Sequence, residues 1–310
     1  MEVDGLVRGV LAGDRRAVAR AISLVEDGRP ELERLSAGIY GATGRAVTVG
    51  ITGAPGVGKS TLAGALVGAL RADERRVAVL AVDPTSPYTG GALLGDRVRM
   101  QEHATDPDVF IRSMATRGHL GGMALAAPEG VRILDAAGYD PVMVETVGVG
   151  QAEVDVAAAT DTAVVILAPG MGDAVQMAKA GILEAADVFV VNKADRDGAA
   201  EVMRELRQML HLGQKRDWDP PVLSVTATTG DVSAVWTVIE EHDGWARTSG
   251  ARDAKRRARL LAEVESLAAE RFKLAVAAHL ADDAELVADL TERRVDPYRA
   301  AAALAHRTSS

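Results

Sequence analysis

Gly53-Ala54-Pro55-Gly56-Val57-Gly58-Lys59-Ser60 decides how the rest of the chain is read. It has the form G-x-x-x-x-G-K-[ST]. It stands between a β-branched run, Ala46–Ile51, and a helical stretch, Thr61–Arg71. A strand, a glycine loop and a helix in that order are the setting a phosphate-binding loop needs. The glycines let successive N–H groups turn inward around phosphate oxygens at a helix N-terminus. Lys59 is placed to reach the β and γ phosphates, and the Ser60 hydroxyl to ligate Mg²⁺. Gly56, Val57, Gly58, Lys59, Ser60 and Thr61 are therefore the candidate phosphate-binding residues. The plain alternative is a glycine-rich turn, which needs a chance match at odds of roughly one in a hundred or less.

Outward from this loop the chain alternates short apolar runs with helical stretches. The runs are Val77–Val82, Val109–Ile111, Val142–Val144, Thr162–Leu167, Val188–Val191 and Val222–Val225. They are near-continuous rather than alternating, which suits strands buried on both faces of a parallel sheet. The expected fold is α/β: a doubly wound, mostly parallel sheet with helical extensions at both ends. Residues 1–45 read as a helical extension, 46–245 as the nucleotide domain and 246–310 as a C-terminal helical arm.

Composition narrows the chemistry. Apolar residues make up 48% and charged residues 25%, so the chain is expected to fold rather than remain disordered. A net charge of −9 argues against nucleic acid or an anionic membrane as the main partner. There is no cysteine, which excludes disulfides, thiolate zinc sites and a catalytic thiol. No signal peptide or membrane-spanning run is evident, and the expected location is cytoplasmic.

Val188-Phe-Val-Val-Asn192-Lys193-Ala194-Asp195 is a strand running into Asn-Lys-x-Asp. A carboxylate at Asp195 accepts two hydrogen bonds from a base carrying N1–H and a 2-amino group. Guanine offers that pair and adenine does not, and an unmet buried partner is what makes such discrimination strong. The Lys193 stem can lie along the base. Thr226, Ala227 and Thr228 follow the next run, where a loop can close over the base or form an ordinary Ser/Thr turn.

Asp83 and Glu145 end two of the apolar runs. Carboxylates at the carboxyl ends of parallel strands face the ligand crevice, where Mg²⁺ can offset their burial. Asp96, in a loop with three glycines, is a further candidate. Ser60, Asp83, Asp96 and Glu145 form the candidate metal set. Lys59, Glu145 and Gln151 are the candidate catalytic residues. In Glu145-Thr-Val-Gly148-Val-Gly150-Gln151 the glutamine lies two residues beyond its usual place after the glycine of a small-GTPase switch, so slow intrinsic hydrolysis is expected. Arg117 could act as an internal arginine finger or sit in a loop ion pair, and His119 is read as structural.

These residues together resemble the methylmalonyl-CoA mutase-associated GTPases of the MeaB/ArgK type, within the SIMIBI class. The resemblance rests on the phosphate loop, Asp83-Pro-Thr-Ser, Gly90-Gly-Ala-Leu-Leu-Gly-Asp-Arg-Val-Arg-Met100, Arg112-Ser-Met-Ala-Thr-Arg-Gly-His-Leu-Gly-Gly122, Glu145-Thr-Val-Gly-Val-Gly-Gln-Ala-Glu153 and Asn192-Lys-Ala-Asp195, in that order. It implies a GTP- and GDP-binding, Mg²⁺-using chaperone of a B12-dependent acyl-CoA mutase. Such a protein gates adenosylcobalamin loading and protects the mutase. It implies a homodimer joined through the C-terminal helices. The family's third switch resembles Gly172 to Gly181, with Asp173, Gln176 and Lys179. That stretch reads Gln-Met-Ala-Lys-Ala where relatives often read Gln-Gly-Ile-Lys-Lys.

Beyond Arg252 the residues Leu260, Leu261, Val264, Leu267, Ala268, Phe272 and Ala275 make one long helical stripe. It can pack on its own domain or reach a second subunit. Three other classes compete with a mutase chaperone. A nickel metallochaperone GTPase lacks the Cys/His sites it needs, a transport-linked ATPase or kinase conflicts with Asn-Lys-x-Asp, and a purely structural dimer leaves the phosphate loop unexplained.

Overall fold

The computed structural model describes residues 3–84, 102–103, 105–116, 123–146, 152–170, 182–213 and 215–308, the side chains of 83–84, 115–116, 123–126, 152–155 and 307–308 excepted. Two compact units emerge, Met1–Arg259 and Leu260–Ser310.

The first unit is built on a seven-stranded sheet in the order β3-β2-β4-β1-β5-β6-β7, with every pairing parallel. The strands are β1 (Thr48–Gly53), β2 (Val77–Pro84), β3 (Val109–Thr116), β4 (Val142–Thr146), β5 (Thr162–Leu167), β6 (Val188–Val191) and β7 (Val222–Ser224). β1 runs through the middle and is buried along its whole length. The continuous apolar runs of the sequence are thus strands covered on both faces.

Helices α1 (Val3–Leu11), α2 (Arg15–Glu26) and α3 (Leu32–Ile39) precede the sheet. Their apolar residues Leu6, Val10, Val18, Ile22, Leu35 and Ile39 share one core with Leu80, Val82, Met114, Val142 and Val144 of the sheet. Asp14 caps α2 by accepting from the Ala17 amide at 2.7 Å, a contribution of about 1 kcal/mol. Arg112 of the edge strand β3 donates to the Ala19 carbonyl at 2.6 Å and to the Ser23 hydroxyl at 2.8 Å, and pairs with Glu26. The N-terminal helices therefore lie on the sheet rather than hang from it. Helices α5 (Met123–Ala136) and α6 (Ala152–Ala159) join them on this face.

The opposite face is covered by α4 (Lys59–Ala72) and by α9 (Ser233–Ser249), which follows α7 (Ile182–Ala185) and α8 (Ala199–Leu212). Leu62, Leu66, Val67 and Leu70 of α4 and Val235, Trp236 and Ile239 of α9 pack on Ile51, Val79, Met143, Val164 and Ile166. α4 ends where Glu74 turns left-handed at φ 59°.

α10 (Ala251–Asp282) opens in this unit with a charged clasp. Asp161, buried just before β5, accepts from Arg256 at 2.6 Å and Arg259 at 2.7 Å, and Arg252 lies 3.7 Å away. Spacing of one and two helical turns puts the three guanidinium groups on one side of the helix. Burial alone would raise the Asp161 pKa. The Arg256 hydrogen bonds and the charges of Arg259, Arg256 and Arg252 reverse that and hold the carboxyl well below the usual range.

The second unit contains the rest of α10, then α11 (Ala284–Thr291) and α12 (Pro297–Thr308). Leu260, Leu261, Val264, Leu267 and Phe272 are exposed along α10.

Candidate nucleotide site

The loop from Gly53 to Ser60 leaves the carboxyl end of the central strand, where an open α/β sheet receives its ligand. Two glycines are required by close approach. Gly53 has φ 142°, and a Cβ there would stand 2.3 Å from the Ile166 carbonyl. Gly58 has φ 99° as the residue before α4, and a Cβ there would stand 2.3 Å from the Asn192 side-chain nitrogen. Lys59, buried, donates from Nζ to the carbonyls of Gly53 at 2.8 Å and Ala54 at 3.1 Å. Its charge is thereby folded over the loop it serves.

The Ser60 hydroxyl donates to Glu145 Oε1 at 2.6 Å, and both residues are buried. α4 supplies the serine and the end of β4 the glutamate, on the face that α4 covers. Two hard oxygens beside a phosphate loop fit a cation such as Mg²⁺. Phosphate-loop sites take it through one or two protein oxygens plus phosphate rather than through a full protein cage. Among the described residues there is no cluster of three His, Asp or Glu able to hold a metal unaided.

The base-side element meets the phosphate loop directly. Asn192, buried at the end of β6, donates to the Val57 carbonyl at 2.9 Å and accepts from the Ala227 amide at 3.1 Å. Lys193, left-handed at φ 57°, donates from Nζ to the Gly56 carbonyl at 2.6 Å. Asp195 is exposed and accepts from the Thr226 hydroxyl at 3.3 Å. Thr228 is exposed in the same turn, which the Gly230 amide closes onto the Thr226 carbonyl at 2.7 Å. Thr61 follows Ser60 in the first turn of α4.

Gly56, Val57, Lys59, Ser60, Glu145, Asn192, Lys193, Asp195, Thr226 and Ala227 are thus joined by short contacts at one end of the sheet. Asp83 lies near the end of β2, its side chain outside the described set. Asp96, Arg117, His119, Gln151, Asp173, Gln176 and Lys179 lie outside the described residues. The carbonyls of Gly53 and Ala54, which hold Lys59, went unread in the sequence because a backbone acceptor carries no residue-type signature.

A family model described as "Methylmalonyl Co-A mutase-associated GTPase MeaB" matches residues 18–281. The chain belongs to this GTPase family. A protein of Pyrococcus horikoshii named as a GTPase is 48% identical over 96% of each chain. The "GTPase ArgK" of Escherichia coli is 39% identical, over 75% of this chain and 73% of its own. The "Methylmalonic aciduria type A homolog, mitochondrial" of Caenorhabditis briggsae is 38% identical, over 82% of this chain and 66% of its own. The crystal structure of a "LAO/AO transport system kinase" superposes with a TM-score of 0.71 at 26% identity, covering 99% of this chain and 98% of that one. Membership brings guanine-nucleotide binding and GTP hydrolysis. No described helix is long and apolar enough to cross a membrane.

Proposed function

We propose that this GTPase is a cytoplasmic, Mg²⁺-dependent chaperone of an adenosylcobalamin-dependent acyl-CoA mutase, methylmalonyl-CoA mutase by default. It gates cofactor loading and protects the loaded enzyme. The observation that carries the nucleotide half is the Asn192 clasp between Val57 and Ala227, which leaves the Asp195 carboxylate exposed at the base side. The mutase half is supported by the family's description and by the relative named for methylmalonic aciduria.

Within this reading Lys59 steadies the β and γ phosphates, while Ser60, Glu145, Asp83 and Asp96 serve the metal. Bound Mg²⁺ neutralises charge that develops on the transferring phosphoryl group. Asp195 reads guanine. Gln151 stands off its usual spacing, so hydrolysis is slow until the mutase is bound. Asp173, Gln176 and Lys179 pass the nucleotide state to the mutase, and Lys179→Ala keeps GTP-analogue affinity while losing mutase-stimulated hydrolysis. The exposed α10 stripe pairs two copies.

Co-purification with candidate mutases, with and without a GTP analogue, tests the partner. Nucleotide-independent absence of any complex counts against it. The relative named as a transport kinase favours a second reading, an ATP-using enzyme. Parallel GTP and ATP titrations separate the two, and equal affinities would favour the ATP-using enzyme.

A further inference from the structure

Side chains on β4 alternate between the two faces of the sheet. Met143 belongs to the core beneath α4, and Glu145 reaches Ser60 of that helix. Val144 belongs to the opposite core, with Val82 and Val156, and Thr146 follows on that side. β1 alternates in the same phase, since Ile51 lies opposite Glu145 and belongs to the α4 face. The β1–β4 register runs as far as Ile51 and Glu145. One row further on, the Thr146 hydroxyl donates to the Thr52 hydroxyl at 3.2 Å, and both residues are completely buried.

The neighbours of this pair give it meaning. Thr52 adjoins Gly53, whose carbonyl accepts from Lys59. Thr146 adjoins Glu145, which accepts from Ser60. Lys59 and Ser60 are themselves consecutive. A closed ring therefore runs from Ser60 through Glu145, Thr146, Thr52 and Gly53 to Lys59 and back, three of its links being hydrogen bonds and three covalent. Two valines would fill the same space on this aliphatic face without burying two hydroxyls. What valines cannot do is supply a directed bond between β1 and β4 in the row beyond Ile51 and Glu145, where their own register ends.

We infer that Thr146 and Thr52 are positioning residues that lock the Ser60–Glu145 oxygen pair to the phosphate loop, an inference that rests on reading that pair as the Mg²⁺ side of the site. Both residues are completely buried. It acts by fixing where Glu145 stands relative to Ser60. Loss of the link weakens the response to Mg²⁺ and leaves nucleotide binding without metal as it was.

The test is release of a fluorescent GDP analogue from the full-length protein, in Mg²⁺ and in EDTA. Thr146→Val should leave release in EDTA within about twofold of wild type. It should reduce the Mg²⁺-dependent slowing about fivefold, the scale of one buried hydrogen bond. Thr146→Ser should restore the slowing. The Thr52→Val/Thr146→Val double variant buries no orphaned hydroxyl, so it should melt near wild type and show the same loss. Full Mg²⁺ slowing in a folded Thr146→Val or double variant, or a lowered melting temperature as the only change, would overturn the inference. Ser60→Ala and Glu145→Gln are the controls. If they abolish the Mg²⁺ effect and Thr146→Val does not, the positioning role alone fails. If they too leave it intact, the Mg²⁺ reading fails and the inference falls with it.

Discussion

The Asn192 side-chain amide donates to the Val57 carbonyl at 2.9 Å across 135 residues of sequence, and its oxygen accepts from Ala227. One buried side chain thus joins the phosphate loop, the end of β6 and the turn after β7. Asn192→Ala orphans a carbonyl and an amide at once. It should lower stability by about 3 kcal/mol and weaken GDP about tenfold or more. Urea unfolding and GDP titration check both numbers. An unchanged GDP affinity in a folded variant would mean that the clasp does not shape the site.

Asp195 is exposed beside Thr226, free of any structural duty at the core. Asp195→Asn should therefore keep the melting temperature. It should weaken GTP about a hundredfold, the scale of a lost charge-assisted pair. It should also improve binding of xanthosine triphosphate, because the amide presents a donor where the carboxylate accepted. Side-by-side titrations of the two nucleotides decide the matter.

Asp161 makes acid stability predictable. Its folded pKa is depressed, so the stability it contributes is complete above the unfolded value near 4 and drains as pH falls below it. Asp161→Asn leaves Arg252, Arg256 and Arg259 facing a neutral amide and should cost about 3 to 5 kcal/mol at neutral pH. Its urea midpoint should then fall less steeply than wild type below pH 4.

His242 works in a different window. Its ring contacts the Thr162 hydroxyl at 2.8 Å and lies 3.4 Å from Asp187, with Trp218 and Trp245 against it. Burial pushes its pKa below the ordinary value, helped by Lys255 and opposed by Asp187, Asp243 and Asp161. The unfolded chain therefore takes up the proton first, and stability falls as pH drops through about 6.5. His242→Gln should flatten the dependence of unfolding free energy on pH between about 7.5 and 5.5. A slope equal to wild type would show that other groups set it.

Where the chain is cut should matter as much as what is removed. Truncation after Arg259 keeps the Asp161 clasp and removes the exposed α10 stripe. It should give a GDP-binding monomer by light scattering, whereas the full chain should run as a dimer at micromolar concentration. Truncation after Gly244 also strips Arg252, Lys255, Arg256 and Arg259 from Asp161 and Asp187, and should fold poorly. Identical masses per particle for the full chain and the Arg259 truncation would refute the dimer.

By itself the sequence determined the elements and their chemistry. Glycine spacing ending in Lys59-Ser60, seven β-branched runs and Asn192-Lys-Ala-Asp195 are local patterns, set by backbone freedom and burial over a few neighbouring residues. They gave the parallel α/β sheet and the nucleotide class without any tertiary contact. The tertiary structure decided the rest. Residues 3–39 read only as amphipathic helices, and it was the sheet face with Leu80 and Val144 that drew them into the core. Nothing local in the sequence marks Arg252, Arg256 and Arg259 as partners of Asp161, which lies nearly a hundred residues earlier and which the fold sets beneath them. The contacts of Lys59 with Gly53 and Ala54, and of Asn192 with Val57, end on backbone carbonyls. Every residue has one, so only the fold can say which carbonyl a distant side chain will meet.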